Sequence, residues 1–438
     1  MTRLLRLGGL VLLLTGESSA AAPMTLPDYL AAALAKSPEV GQAEARSREA
    51  EAQWKAQTAA AWLPTLAFTG SGYPYGHNPA NAYRFTPWRL DRDDLSFNTS
   101  LNLNLFNSFQ DAARVRAAQQ GREAARHGAD AARQERALAA AQAFLRLSLD
   151  DRLLEVAAEN LKAQEEQYRL TKDLYEHGMK SLSDLLKSET DWRSSELRMA
   201  AARAERARAL AQLNVQRDAE PEAEAELAPV AEPGAEALPP LVQDVEQAFR
   251  RRPEALRAQA LLALGETKAR QARRDLLPVL SVDAAWNRQD TATFGQPVTT
   301  LSGIPKPNYQ LGLRVSLPSG YNAVTQTQGW RAAQAERDRT LAELEATRRR
   351  IRLEAVQSRI ALEQAVAGIR IAGQKAELAS RNLELVREQY RQGSADVIRL
   401  AQAQLDYLQA RVERSQAAHD AAVSRLEHRK AVGERIWP

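Results

Sequence analysis

Apolar and polar residues alternate one by one in four short stretches of the chain. The clearest is Leu95–Phe106, where the odd positions are leucine, phenylalanine or threonine and the even positions from 96 to 104 are serine or asparagine. Residues 280–286 and 309–317 repeat the pattern, and residues 66–72 show it weakly because glycines interrupt it. Successive side chains of a strand point to opposite faces, so this period of two predicts four β-strands of about ten residues each.

Two long stretches without proline, residues 109–175 and 321–390, carry a different pattern. Apolar residues recur there at alternating steps of three and four, which predicts coiled-coil helices of about 100 Å each. Shorter helical segments flank them: 25–61 and 181–215 around the first, 241–276 and 395–432 around the second. Each short pair together matches the long helix between them in length, so we expect the pair to stack end to end beside it.

The same order of segments occurs twice, at an interval of about 215 residues. A Pro-Glu pair after residue 37 returns after residue 252, and a Tyr-x-x-Gly turn at residues 175–178 returns at residues 390–393. We therefore divide the chain into a first repeat, residues 21–216, and a second repeat, residues 241–438. Each repeat has the order helix, two strands, long helix, turn, helix. Residues 217–240, rich in proline, glutamate and alanine, are predicted to form an extended linker.

Residues 1–20 have the composition of a secretory signal peptide. Arg3 and Arg6 precede a short apolar core at residues 7–14, and small residues follow at 18–22. A membrane anchor is the alternative, but the core is far shorter than the ~20 apolar residues that span a bilayer. No cysteine follows the core, so we expect no lipidation there. We expect the mature protein to work outside the cytoplasm.

Composition argues against most enzymatic and nucleic-acid functions. The 438 residues include 59 Lys+Arg, 55 Asp+Glu and no cysteine, for a net charge of +4. Without cysteine there are no disulfides, thiolate zinc sites or cysteine nucleophiles, and the near balance of charge argues against nucleic acid as a partner. The 5 histidines lack metal-ligand spacing, and no Gly-x-Ser-x-Gly, P-loop or dinucleotide motif occurs. We expect no enzymatic activity and no catalytic, cofactor or metal site.

Two interpretations of the strands are open. A soluble antiparallel sheet with one wet face shows the same alternation as the wall of a lipid-embedded barrel. The export signal and the Asn/Ser face, which suits a water-filled lumen, favour the barrel. About eight strands are needed to close a barrel, so several copies must share one, and the sequence does not choose between two copies and three. The alternative function, a periplasmic coiled-coil structural or scaffolding protein, leaves the strands and the signal unexplained.

The signal peptide, the duplicated helix–strand–strand–helix–helix unit and the paired Tyr-x-x-Gly turns resemble the TolC-type outer-membrane efflux proteins, in their non-lipidated branch. The resemblance implies a mainly α fold with long antiparallel coiled-coil helices, and four strands per chain in a shared trimeric transmembrane β-barrel. It also implies a homotrimer in outer-membrane lipid that extends into the periplasm. Such a duct docks to a periplasmic adaptor (membrane fusion) protein and, through it, to an inner-membrane pump. It exports small molecules, drugs, metals or proteins by efflux or type I secretion.

The resemblance also places the two helix-to-helix turns at the periplasmic tip, where they close the tunnel. The candidate gate residues lie at these turns or just after them: Tyr175, Gly178, Asp184, Tyr390, Gly393, Asp396 and Arg399. Asp184 matches an acid of the family, whereas Arg399 stands where well-known members carry an acid, which argues against an acidic ring. Our hypothesis is a charged closure network of Asp184, Asp396 and Arg399 with the two tyrosines. The alternative is a set of solvated charges that individually contribute little.

Overall fold

The computed structural model describes residues 23–72, 95–107, 109–230, 239–274, 279–289, 308–316, 323–392 and 394–437. The helices in this part of the chain are α1 (Leu26–Lys36), α2 (Pro38–Trp62), α3 (Gln110–Glu176), α4 (Leu182–Gln216), α5 (Leu241–Arg251), α6 (Pro253–Arg274), α7 (Ala323–Arg391) and α8 (Val397–Val432). The strands are β1 (Thr65–Gly72), β2 (Leu95–Phe106), β3 (Val279–Gln289) and β4 (Asn308–Ser316). The predicted order of elements occurs twice.

The strands form one antiparallel sheet in the order β1-β2-β3-β4, so the four predicted strands are confirmed. Residues directly opposite each other share a face. Leu101 of β2 lies between Leu66 and Ala284, whereas its neighbour Asn102 lies between Thr65 and Asp283. One face of the sheet is therefore apolar and the other polar, and β1 and β4 are its edge strands.

A polar contact crosses three strands on the polar face. The Asp283 carboxylate of β3 accepts a hydrogen bond from the Asn102 side-chain amide of β2. On its other side, Asp283 Oδ2 lies 3.0 Å from Nε of Arg314 on β4. Cross-strand pairs of this kind favour one register over its neighbours.

The two short helical segments of the first repeat meet beside the middle of α3. Tyr29 of α1, Phe144 of α3 and Leu213 of α4 are completely buried there, each 0% exposed. The rings of Tyr29 and Phe144 lie 5.7 Å apart. Towards the sheet α2 packs on α3, as in the ion pair of residues 44 and 133, and towards the other end α4 packs on it, as in the pair of residues 151 and 206. The short helices thus run end to end along the long one, as predicted.

The predicted single helices over 25–61 and 241–276 are wrong in one respect, because each is broken after its third turn. The breaks fall at Ser37 and Arg252, which have extended backbones with ψ of 121° and 128°. Both precede a proline, whose ring disfavours the helical conformation in the residue before it. Ser37 then caps α2, with Oγ accepting the Val40 N–H at 3.4 Å.

The first part of the linker packs against the body of the chain. Met24 and Leu227 form a short parallel bridge, and the Asn214 side-chain amide donates to the carbonyls of Pro221 and Ala223 at 3.0 and 2.7 Å. The boundaries predicted for the signal peptide, repeats and linker stay predictions, and residues 1–20 lie outside the described residues. No helix within the described ranges combines the length and apolar character needed to cross a bilayer.

Replacing Phe144 by alanine should lower the free energy of unfolding by about 3–5 kcal/mol, because it opens a cavity where α1, α3 and α4 meet. Chemical denaturation followed by circular dichroism measures the loss. Leu170→Ala, at a 44% exposed position of the same helix, should cost much less. Equal losses in the two variants would show that this cluster is not a centre of stability.

Candidate functional site

The turn between α3 and α4 ends the long helix with a glycine in the left-handed region. Gly178 has φ +73°, a conformation that costs residues with a Cβ about 1–2 kcal/mol. Its N–H donates to the Tyr175 carbonyl at 2.9 Å, and the Met179 N–H donates to the Leu174 carbonyl at 2.8 Å. These bonds satisfy carbonyls that the last turn of a helix leaves unpaired.

Asp184 helps to cap the N-terminal end of α4. The Ser181 hydroxyl oxygen accepts the Asp184 N–H at 3.2 Å, and the Asp184 carboxylate accepts the Ser181 N–H at 3.3 Å. This reciprocal capping box satisfies two N–H groups at the helix start, and the carboxylate lies where the helix dipole favours a negative charge. Asp184 is therefore engaged with its own helix.

The turn between α7 and α8 is capped in a similar way. Asp396 is the N-cap of α8, and its Oδ1 accepts the Arg399 backbone N–H at 2.8 Å. The Ser394 N–H donates to the Gln389 carbonyl at 2.8 Å, beyond the end of α7. Gly393 lies outside the described residues, so its predicted role as a gate residue stays a prediction.

A contact between Lys180 and Tyr390 joins the two turns within one chain. Nζ of Lys180 lies 4.6 Å from the centre of the Tyr390 ring, within the range of a cation–π interaction. The tyrosine is only 7% exposed and packs with Leu400 and Ala403 of α8. Its hydroxyl is buried without a hydrogen-bond partner. Apolar packing and Lys180 thus hold the ring in place.

The structure therefore brings one predicted gate residue, Tyr390, to the other turn, through a residue that sequence analysis missed. The carboxylates of Asp184 and Asp396 cap different helices, and in the described part of the chain no bond links them to the Arg399 side chain. The predicted charged network and the role of these residues at a gate therefore stay predictions. Lys180 directly follows the Gly178 turn, but nothing in the sequence shows its contact with α7.

A second feature that sequence analysis missed is a polar layer between α3 and α8. Gln164 donates to Gln404 at 3.2 Å in a buried contact, and Arg411 lies 3.2 Å from Glu159 and 3.0 Å from the Tyr407 hydroxyl. Burial acts to lower the pKa of Arg411, but its bond to Tyr407 and the nearby glutamates outweigh burial and raise it. These residues border a cavity of about 180 Å³. In the sequence, the available signal for this layer was a polar residue, Gln164, at a position of the apolar stripe of α3.

The sequence model of the outer membrane efflux protein family matches residues 29–215 and 245–434, one segment in each repeat. The chain therefore belongs to the outer membrane efflux protein family, a family of channels and not of enzymes. No curated protein sequence matches the chain.

Solved structures share this fold along nearly the whole chain. The Campylobacter jejuni CmeC outer membrane channel is 17% identical, with a TM-score of 0.76 over 94% of this chain and 87% of that chain. The Vibrio cholerae outer membrane protein VceC is 17% identical, with a TM-score of 0.76 over 93% and 96%. The open state of the Neisseria gonorrhoeae MtrE outer membrane channel is 18% identical, with a TM-score of 0.75 over 94% and 89%. At these identities the likeness shows the fold.

Replacing Asp396 by alanine should weaken the start of α8 by about 1 kcal/mol, because the Arg399 N–H loses its acceptor. Hydrogen exchange of the first turn of α8 should then be about fivefold faster. Asp396→Asn keeps an acceptor oxygen and should exchange nearly as slowly as the unmodified protein. If Asp396→Asn and Asp396→Ala accelerate exchange equally, the negative charge of Asp396, and not its hydrogen bond to the Arg399 N–H, stabilises the start of α8.

Proposed function

We propose that three copies of this chain form one export channel, with a shared twelve-stranded barrel in the outer membrane and a helical tunnel that extends into the periplasm. A periplasmic adaptor protein and, through it, an inner-membrane pump deliver the cargo, which is small molecules, drugs, metals or proteins. Family membership supports the channel class and the outer membrane. The trimer, the tunnel and the partners rest on the arguments below.

The open edges of the sheet are the observation that carries the proposal. In the sheet of described strands β1 and β4 each pair on one side only, and Leu66 and Leu311 of the apolar face are 70% and 81% exposed. In lipid, an open edge leaves backbone groups unsatisfied at several kcal/mol each. Pairing β4 of one copy with β1 of the next removes every edge. Two copies give eight strands filled by side chains, whereas three give twelve and leave a lumen.

The long helices support a head-to-tail ring. Ile360 and Ile371 of α7 are 57% and 58% exposed, yet their counterparts in α3, Leu145 and Val156, are 4% and 5% exposed. The difference arises because α3 packs against α6 and α8 of the second repeat within the same chain, while among the described residues α7 has no comparable contact with α2 and α4. In the proposed assembly α2 and α4 of the next copy cover α7. Such a heterologous contact closes into a ring.

Replacing Leu378 and Leu385 of α7 by lysine should prevent assembly without unfolding the chain. Both leucines continue the exposed stripe, at 65% and 58% exposure, and burying each would contribute about 1.5–3 kcal/mol to the interface. The double variant should therefore bind its neighbour more than about 100-fold more weakly. Native mass spectrometry of the detergent-extracted protein distinguishes trimer from monomer.

Glu384→Gln is the matched control, because it changes the charge of α7 by the same amount as one Leu→Lys change. Glu384 lies on a side of α7 away from both the stripe and α8, given 100° per residue. We expect the Glu384→Gln variant to remain trimeric. A double lysine variant that stays a full trimer, or an unmodified protein that is a monomer in detergent, would refute the assembly.

The two turns are proposed as the periplasmic gate of this channel. The proposed gate comprises Tyr175, Gly178, Asp184, Tyr390, Gly393, Asp396 and Arg399. The contact of Lys180 with Tyr390 supports the idea, because it ties the two turns of one chain together. The capped helix starts at Asp184 and Asp396 give each turn a defined shape.

Lys180→Gln should make the channel easier to open, because the Tyr390 ring loses its cation. A cation–π contact of about 0.5–1 kcal/mol corresponds to a two- to fivefold change in the closed-to-open ratio for each copy. Single-channel recording in planar bilayers measures the conductance and the open fraction. Lys172→Gln, an exposed position on α3, should behave like the unmodified channel. Identical recordings from both variants would argue against a latch at Tyr390.

A further inference from the structure

In the second repeat, a buried ionic cluster joins α5 to the helical stem, here α7 and α8. Asp244 of α5 is 1% exposed and His428 of α8 is 6% exposed. Asp244 Oδ2 lies 2.8 Å from a guanidinium nitrogen of Arg359 on α7 and 3.9 Å from Nε2 of His428. The Ser358 hydroxyl lies 3.3 Å from Nδ1 of the same histidine. Asp244 Oδ1 is buried without a partner.

The first repeat has an apolar cluster in the same place. At the interval of about 215 residues that relates the repeats, Asp244 corresponds to Tyr29, Arg359 to Phe144 and His428 to Leu213. Those three counterparts are completely buried and pack together where α1, α3 and α4 meet. At these three corresponding positions, one joint of the duplicated fold has apolar side chains and the other has ionisable ones.

The surroundings of His428 favour its neutral form. Burial lowers the pKa of this histidine, and Arg359 adds to the effect, while Asp244, Glu434 and Glu363 oppose it. These groups come from three parts of the chain: Asp244 from α5, Arg359 and Glu363 from α7, and Glu434 from the segment after α8. Arg359 also donates to the Pro239 carbonyl of the linker, so the linker end belongs to the same cluster.

We propose that the cluster of Asp244, Arg359 and His428 is an acid-sensitive clamp that releases α5 from the stem when His428 becomes protonated. Protonation then places a second cation beside Arg359 in a site shielded from water, where an incompletely paired charge is costly. Opening the joint lets the imidazolium reach water. Among the described residues, no histidine belongs to the apolar cluster at α1, so that joint holds at the same pH.

The direction of the pH effect follows from linkage. A histidine whose pKa is lower in the closed joint than in the open one binds more protons when the joint opens. The clamp is therefore strongest above the ordinary histidine pKa of about 6.5 and weakens as the pH falls below that value. The equilibrium shifts towards the open joint by up to tenfold for each pH unit, until the histidine is protonated in the closed joint as well.

Hydrogen exchange of the full-length protein in detergent between pH 7.5 and 5 tests the clamp, after correction for the intrinsic pH dependence of exchange. The protection of α5 should fall by up to about tenfold per pH unit below about 6.5. The protection of α1, measured in the same molecule, should stay constant. Constant protection of α5, or a parallel fall in α1, would overturn the proposal.

Variants of His428, with His419→Gln as the control, separate titration of His428 from general acid effects. His428→Gln is uncharged at every pH and should abolish the pH dependence of α5, as should His428→Leu, which introduces the residue of the first repeat. His419→Gln, on the same helix and bonded through Nδ1 to the Leu145 carbonyl, should keep it. An α5 helix that still loosens with acid in a folded His428 variant would overturn the clamp. Hydrogen exchange reports on α5 and α1 separately within each chain, so this test does not depend on whether the protein assembles as a trimeric channel.

Discussion

Unpaired backbone hydrogen-bonding groups are the constraint on which the rest of this architecture depends. A sheet of four strands ends at β1 and β4, and in hydrocarbon those ends have no water to bond with. The chain cannot resolve this alone, because four strands are too few to curl into a closed wall. In the helical part, the exposed apolar residues of α7 likewise have no surface in the described part of the same chain to pack against. In the proposed ring of copies, one head-to-tail contact would pair the edges of the sheet and cover the exposed side of α7.

Duplication explains how one set of helix contacts serves two purposes. The first long helix, α3, is covered by α6 and α8 within the chain, whereas α7 keeps exposed apolar residues, which the proposed assembly would cover. The side chains at the two mid-stem joints have diverged while the backbone plan stayed the same: Tyr29 and Phe144 form an apolar contact where Asp244 and Arg359 form an ion pair. The two repeats thus share one backbone arrangement, while the side chains at corresponding positions differ in their chemistry.

Local patterns predicted the elements well, and tertiary contacts were beyond their reach. The strict alternation in Leu95–Phe106 placed β2 at its observed bounds, and the absence of proline predicted α3 and α7. The breaks at Ser37 and Arg252 were missed, although the residue before a proline carries that signal. At the turns, Gly178 and Asp184 matter through bonds within a few residues, which sequence can indicate. Lys180 and Tyr390 are about 210 positions apart, and only the packing of two hairpins brings them together.

The contact of Asn102, Asp283 and Arg314 has a consequence for whatever moves past the polar side of the sheet. The acid is already bonded on both sides, and its charge is matched by one arginine, so the group as a whole is electrically neutral. Amides and hydroxyls make up most of the remaining polar positions of β2. In the proposed channel, this face would offer passing solutes many weak hydrogen-bonding partners and little preference for the sign of their charge. Such a lining suits transit of chemically diverse cargo better than tight retention of any one.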